Sequence, residues 1–171
     1  MHNKELDVYV RRAKKHDPDA FTYLCEINKQ GMYKVARSIL HNDEDAADAI
    51  QETILKCWEK IETLKVNKYF KTWLTRILIN NCYRIRNERP NVMPLEDAFE
   101  MPVYSEESDF EWKEVLSVLN ESYRPVVTLF YAQGFTTKEI SKILGIPHNT
   151  VRTKLARARK ALENYLKEQG Q

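Results

Sequence analysis

Residues 90–110 (PNVMPLEDAFEMPVYSEESDF) hold three of the six prolines and six carboxylates, with no lysine or arginine. Pro90, Pro94 and Pro102 each remove a backbone donor and push the preceding residue out of the helical region, while unbalanced negative charge favours an extended, hydrated chain. Such a stretch neither continues a helix nor enters a sheet. It divides the chain into residues 1–89 and 111–171, each the size of a small domain.

Both flanks read as helix, and no convincing strand alternation appears. Apolar residues recur at steps of three and four along Leu6, Val10 and Ala13. The same period runs from Phe21, Leu24, Cys25 and Ile27 past Gly31 to Ile39 and Leu40, and then through Ala46, Ile50, Ile54, Cys57, Trp58 and Ile61. The first helix ends before Asp17-Pro18, Asp17 or Asp19 can cap the second, and the third follows Asn42 or Asp43. A fourth helix is marked by Phe70, Trp73, Leu74, Ile77 and Leu78. Beyond the linker, Trp112–Leu119 and Val126–Tyr131 repeat the period, and Gly134 stops it. The expected fold class is all-α: two small helical domains joined by an acidic, proline-containing linker.

The second domain contains FTTKEISKILGIPHNTVRTKLARARKAL. Thr136 and Glu139 have capping-box spacing, Ile140, Ile143 and Leu144 face inward, Gly145 ends the helix, and Pro147 suits the start of the next. Val151, Leu155, Ala158 and Leu162 trace the buried face of that second helix. Two short helices joined by a tight glycine turn form a helix-turn-helix. From His148 to Lys160 the second helix carries Arg152, Lys154, Arg157, Arg159 and Lys160 and no acid, so phosphate is its natural counter-charge. At about 100° per residue, Asn149, Arg152, Thr153 and Ala156 share the face away from the core, suited to base edges in a major groove.

In the first domain the charge separates by segment. Asp43 to Glu62 holds seven acids against two lysines, whereas Lys65 to Arg89 holds seven lysines or arginines against Glu88 alone. Asp45, Asp48, Gln51, Glu52 and Lys56 lie along one polar flank, opposite Ile50, Ile54 and Trp58, which suits a protein partner rather than nucleic acid. Tyr69, Phe70, Trp73 and Tyr83 are interleaved with Lys65, Lys68, Lys71, Arg76, Arg84 and Arg86, a mixture in which unpaired bases stack while cations hold the backbone. Phe70 and Trp73 also serve the core.

Other chemistries lack their residues. Cys25, Cys57 and Cys82 have no CxxC spacing and read as reduced core thiols. The four histidines form no HxxxH or HExxH arrangement, and neither a phosphate-cradling glycine loop nor a nucleophile–base pair is visible. No metal, cofactor or small-molecule substrate is expected, and the protein reads as a binder, not an enzyme. The N-terminal MHNKELDVYVRRAKKHD lacks an apolar core and no run approaches a membrane span, so a soluble, cytoplasmic protein is expected.

Four stretches together bring a family into view: DPDAFTYLCEI at 17–27, NDEDAADAIQETILKCWEKI at 42–61, YFKTWLTRILINNCYRIRN at 69–87, and TTKEISKILGIPHNTVRTKLARARKAL at 136–162. In order and spacing the chain resembles bacterial RNA polymerase sigma factors of the extracytoplasmic-function (ECF) class, from about Val8 to Leu166. The resemblance implies that the helix with Asp45, Asp48, Gln51 and Glu52 docks on the clamp helices of the polymerase largest subunit. It implies that Lys65, Asn67, Lys68, Tyr69, Trp73, Arg76, Asn80 and Arg84 recognise and open the minus-ten element, and that the helix-turn-helix reads the duplex minus-thirty-five element. The acidic linker would thread toward the polymerase active site and RNA exit path, and an anti-sigma factor would hold the protein inactive. Glu139-Ile140-Ser141 departs from the family's commoner Glu-Ile-Ala, and Glu121–Pro125 is an unusual helix start. The alternative is a stand-alone helix-turn-helix regulator, in which the acidic helix and its aromatic, basic neighbour would have no role.

Overall fold

The computed structural model of the chain describes residues 2–89 and 108–170. Within them every regular element is helical, as the periodicity requires. The residues of the expected linker from 90 to 107, with the role the resemblance gives them, lie outside the described residues.

Helix α1 (Asn3–Lys14) buries Val10 and Ala13 against α2 (Pro18–Ile39). Asp17 caps α2 by accepting from the backbone N–H groups of Asp19 at 3.1 Å and Ala20 at 3.4 Å, with Pro18 in the first turn where its missing donor costs nothing. α2 passes through Gly31 unbroken, and the residue matters for packing: a Cβ there would lie 2.4 Å from Oε1 of Gln133. Helix α3 (Asp43–Lys60) is capped by Asn42, whose Oδ1 accepts from Asp45 N–H at 2.7 Å. Two single 3-10 turns (Ile61–Thr63 and Asn67–Tyr69) lead into α4 (Phe70–Glu88), which packs on α2 and α3 through Phe70, Leu74, Leu78, Cys82 and Ile85.

All three cysteines are free and buried in this core. Burial pushes the Cys25 thiol up to about 11, and those of Cys57 and Cys82 to about 12.

In the second half, α5 (Ser108–Val118) begins three residues inside the expected linker; neighbouring start points of a helix differ little in energy. The single apolar helix expected over 126–131 is instead a short α6 (Arg124–Val127) that widens into a π-type segment (Thr128–Ala132), with Gln133 N–H donating to Thr128 O at 3.1 Å. Gly134, at φ 74°, turns the chain out of it. Helix α7 (Thr137–Leu144) opens with the expected capping box: Thr136 Oγ1 accepts from Glu139 N–H, and Glu139 Oε2 accepts from Thr136 N–H at 2.7 Å. It closes on Gly145 in the left-handed region at φ 66°. Helix α8 (His148–Gln169) buries Val151, Leu155 and Ala158.

The two halves pack on each other, α2 against α6 and the π-type segment, and α4 against α7. Lys71 Nζ donates to the Gln133 carbonyl at 2.7 Å and lies 5.1 Å from the Phe135 ring centre. Its burial there holds the ammonium below the ordinary lysine range. His41 reaches Glu121 across the same seam.

Candidate nucleic-acid and partner interfaces

The acidic flank of α3 is built from its N-terminus upward. Asp43, Glu44 and Asp45 occupy the first turn, where the helix dipole favours negative charge. Farther along, Asp48, Gln51, Glu52, Leu55 and Glu59 recur at steps of three and four and are exposed or half-exposed. Leu55 is 63% exposed, an apolar side chain in the middle of a charged face. Sequence reasoning missed it, because it falls off the Ile50, Ile54 and Trp58 stripe; its spacing from Gln51 was the available signal.

Two of the expected docking residues sit differently from their neighbours. Asp45 is buried, with its carboxylate between the Asn42 amide at 2.9 Å and the Arg89 guanidinium. Lys56 turns toward α4, where Nζ donates to Asn81 Oδ1 at 2.7 Å; Asn81 in turn donates to Thr53 Oγ1 at 3.0 Å. Thr53 and Asn81 are both buried, so this network ties α3 to α4 from inside.

The second surface begins in the loop before α4. Lys65, Val66, Lys68 and Tyr69 are exposed, and Lys68 Nζ stands 5.0 Å from the Tyr69 ring centre. Asn67 anchors this loop to α1 by donating to Asp7 Oδ1 at 2.9 Å, and this bond holds the Asp7 carboxyl below its usual range. Arg76 and Asn80 are exposed on α4, and Trp73 is half-buried against Phe70, so it serves both the core and the open face. Tyr83 lies under the Arg86 guanidinium at 4.7 Å. Arg84 is drawn off this face: Nη2 contacts Glu52 of α3, and Nη1 contacts Glu88 at 3.0 Å. A cationic loop with an exposed tyrosine and a half-buried tryptophan can stack unpaired bases while lysines hold phosphate.

The third surface is α8. Asn149, Arg152, Thr153, Ala156, Arg157, Arg159 and Lys160 are exposed, and Lys154 is half-buried. Asn149, Arg152, Thr153 and Ala156 line an open cleft of about 520 Å³ together with Thr137, His148, Leu155 and Arg159. Thr137 Oγ1 and His148 Nε2 share a hydrogen bond of 2.7 Å that joins the start of α7 to the start of α8. Arg159 Nε donates to the hydroxyl of Tyr131 at 2.8 Å, so the π-type segment orients this arginine. Thr137 and Tyr131 were missed from sequence because their partners lie across a turn and across the domain. The cleft presents an amide and a guanidinium, the groups that pair bidentately with adenine and guanine edges, flanked by cations placed for phosphate.

Comparison with known proteins gives a consistent result. A Sigma-70 region 2 family model matches residues 24–89, covering α3, the loop and α4, and a Sigma-70, region 4 model matches residues 110–162, covering the helix-turn-helix. The chain is 31% identical to the ECF RNA polymerase sigma factor SigW of Bacillus subtilis, over 93% of this chain and 95% of that protein. Among solved structures, CnrH in complex with the cytosolic domain of CnrY superposes with a TM-score of 0.70 at 21% identity, covering 95% of this chain and 97% of CnrH, a likeness of fold. The sigma factor RpoE in complex with the anti-sigma factor NepR, from Bartonella quintana, superposes at 0.67 with 25% identity, over 86% of this chain and 96% of that one.

Proposed function

Because the chain belongs to the ECF class of bacterial RNA polymerase sigma factors, we propose that its three surfaces divide the work of initiation among polymerase docking, strand opening and duplex reading. The protein is an alternative sigma factor: it binds core RNA polymerase and directs promoter recognition, melting and the start of transcription. Its task is to bind. No helix of the described residues is long and apolar enough to cross a membrane, and we place the protein in the cytoplasm, where its polymerase and promoters are.

In this reading α3 docks on polymerase through Asp48, Gln51 and Glu52, with Asp45 as a buried charge beneath them. The loop and α4 surface, with Lys65, Lys68, Tyr69, Trp73, Arg76 and Asn80, captures the opened minus-ten strand, and Asn67 holds that loop in place. Helix α8 reads the minus-thirty-five duplex through Asn149, Arg152, Thr153 and Ala156, with Lys154, Arg157, Arg159 and Lys160 on phosphate. Unstacking a base costs a few kcal/mol, which stacking on an exposed aromatic offsets by about 1–3 kcal/mol per base. Two moderate DNA contacts on one chain act at high effective concentration once polymerase holds both. An anti-sigma protein is the expected regulator, as NepR is the partner in the RpoE complex.

One observation supports this reading above the others: the acidic helix and the aromatic, cationic helix are bonded side by side in the first half of the chain, while the reading helix lies in the second. A stand-alone regulator has no use for the first two. Run-off transcription with purified bacterial core polymerase and a random-sequence promoter library tests it. Defined start sites that require the chain are expected; transcription that stays indifferent to it would refute the assignment.

A further inference from the structure

Arg84 carries a bond pattern that neither strand opening nor duplex reading uses. Its guanidinium bridges Glu52 of α3, through Nη2, and Glu88 one turn along α4, through Nη1 at 3.0 Å. At about 100° per residue it lies about 40° from Asn80 in the direction of Asn81, the residue whose amide enters the α3–α4 seam. Five residues on, Arg89 repeats the arrangement: Nη1 contacts Asp45 and lies 3.6 Å from Asp48 Oδ2. Arg84 of α4 and Arg89 at the C-terminal cap of that helix therefore meet three acids of α3.

We propose that Arg84, reinforced by Arg89, is a positioning residue for polymerase docking: it holds the Glu52 carboxylate in the orientation that a cationic polymerase surface takes up. The proposal rests on the assignment of α3 as the docking helix. A carboxylate has two oxygens and about four acceptor directions, so Arg84 on Oε2 leaves capacity for a second cation. The Glu52 side chain is 43% exposed, which keeps it reachable while braced. Two of the guanidinium's three nitrogens already donate to carboxylates, so most of its charge and donor capacity is committed to Glu52 and Glu88 rather than to DNA. Ordering a long, rotamer-rich side chain before association removes that cost from the binding step, worth about three- to tenfold in affinity for one side chain.

The test uses the full chain and purified bacterial core polymerase, with affinity measured in the absence of DNA. Arg84→Gln keeps the length of the side chain and removes its charge and fork. It should weaken polymerase binding about three- to tenfold, and Arg84→Lys should recover much of the loss. Because the brace works through Glu52, adding Arg84→Gln to Glu52→Gln should cause no further loss, which a merely structural role would not produce. At saturating polymerase, opening of a promoter selected from the library should match the wild type. Unchanged or tighter polymerase binding by Arg84→Gln, or impaired opening at saturation, would overturn the proposal and make Arg84 a competitor for Glu52 or a DNA contact. If Glu52→Gln alone leaves polymerase affinity unchanged, the docking assignment fails first and takes the brace with it.

Discussion

Asn81→Ala should destabilise the protein by about 2–3 kcal/mol, and the structure shows where the loss arises. The amide is 1% exposed, accepts from Lys56 Nζ at 2.7 Å and donates to Thr53 Oγ1 at 3.0 Å. A hydrogen bond to a charged donor contributes about 1.5–3 kcal/mol when buried; the half-exposed Lys56 regains water, which reduces this to about 1. Thr53 keeps its own bond to Ala49 O at 2.7 Å, so losing the Asn81 donor costs it about 0.5–1 kcal/mol. The void left by the amide adds about 1 kcal/mol. For a chain of this size the total lowers Tm by roughly 4–12 °C. Thermal unfolding followed by circular dichroism, for the wild type, Asn81→Ala, Lys56→Met and the double variant, measures both the loss and the coupling. The double variant should be less destabilised than the two single losses combined, because they remove one shared bond. Lys56→Met should cost about 1 kcal/mol and leave polymerase affinity unchanged, since this lysine serves the seam. An Asn81→Ala protein within about 0.5 kcal/mol of the wild type would refute the reasoning.

Other outcomes follow from the same surfaces. Leu55→Ala should weaken polymerase binding without lowering Tm, because a 63% exposed leucine contributes little to the core and can become a buried anchor on docking; titration of polymerase with the variant decides it. Arg152→Ala should cost about 1–3 kcal/mol at one upstream base position, measured as binding of holoenzyme to single-base promoter variants, and a uniform loss across all variants would make Arg152 a phosphate contact. The native thiols should resist iodoacetamide at neutral pH and react only on unfolding. Their folded-state values are raised, so the unfolded chain releases these protons first: stability is full below about pH 9 and declines as pH rises toward 11–12. Denaturant midpoints at increasing alkaline pH test that sign.

Features built from neighbours in the chain are legible in the sequence. The caps at Asp17 or Asp19 and at Asn42 or Asp43, the Thr136–Glu139 capping box, the Gly145 turn and the stripe of α8 depend on spacings of one to four residues; Asp17 and Asn42 are the caps used, and the stripe is buried at Val151, Leu155 and Ala158 and half-buried at Leu162. Segregated charge was equally legible, since net sign is a property of composition along a helix. The π-type widening after Val127 was not: its hydrogen bonds close over five and six residues, and an apolar run gives no sign of which ladder it will adopt.

What the linear order could not decide is which charged groups meet. Lys56 and Asn81 are 25 positions apart, Glu52 and Arg84 32, Lys71 and Gln133 62. Helical period and charge sign set the character of each face, yet which side chains meet depends on how α3, α4 and the second half of the chain pack. That packing turned Lys56 inward, drew Arg84 toward the acids of α3 and buried Lys71 at the seam. Local rules act through covalent spacing and survive without the rest of the molecule; a contact between distant side chains exists only where the packed core brings their backbones within reach.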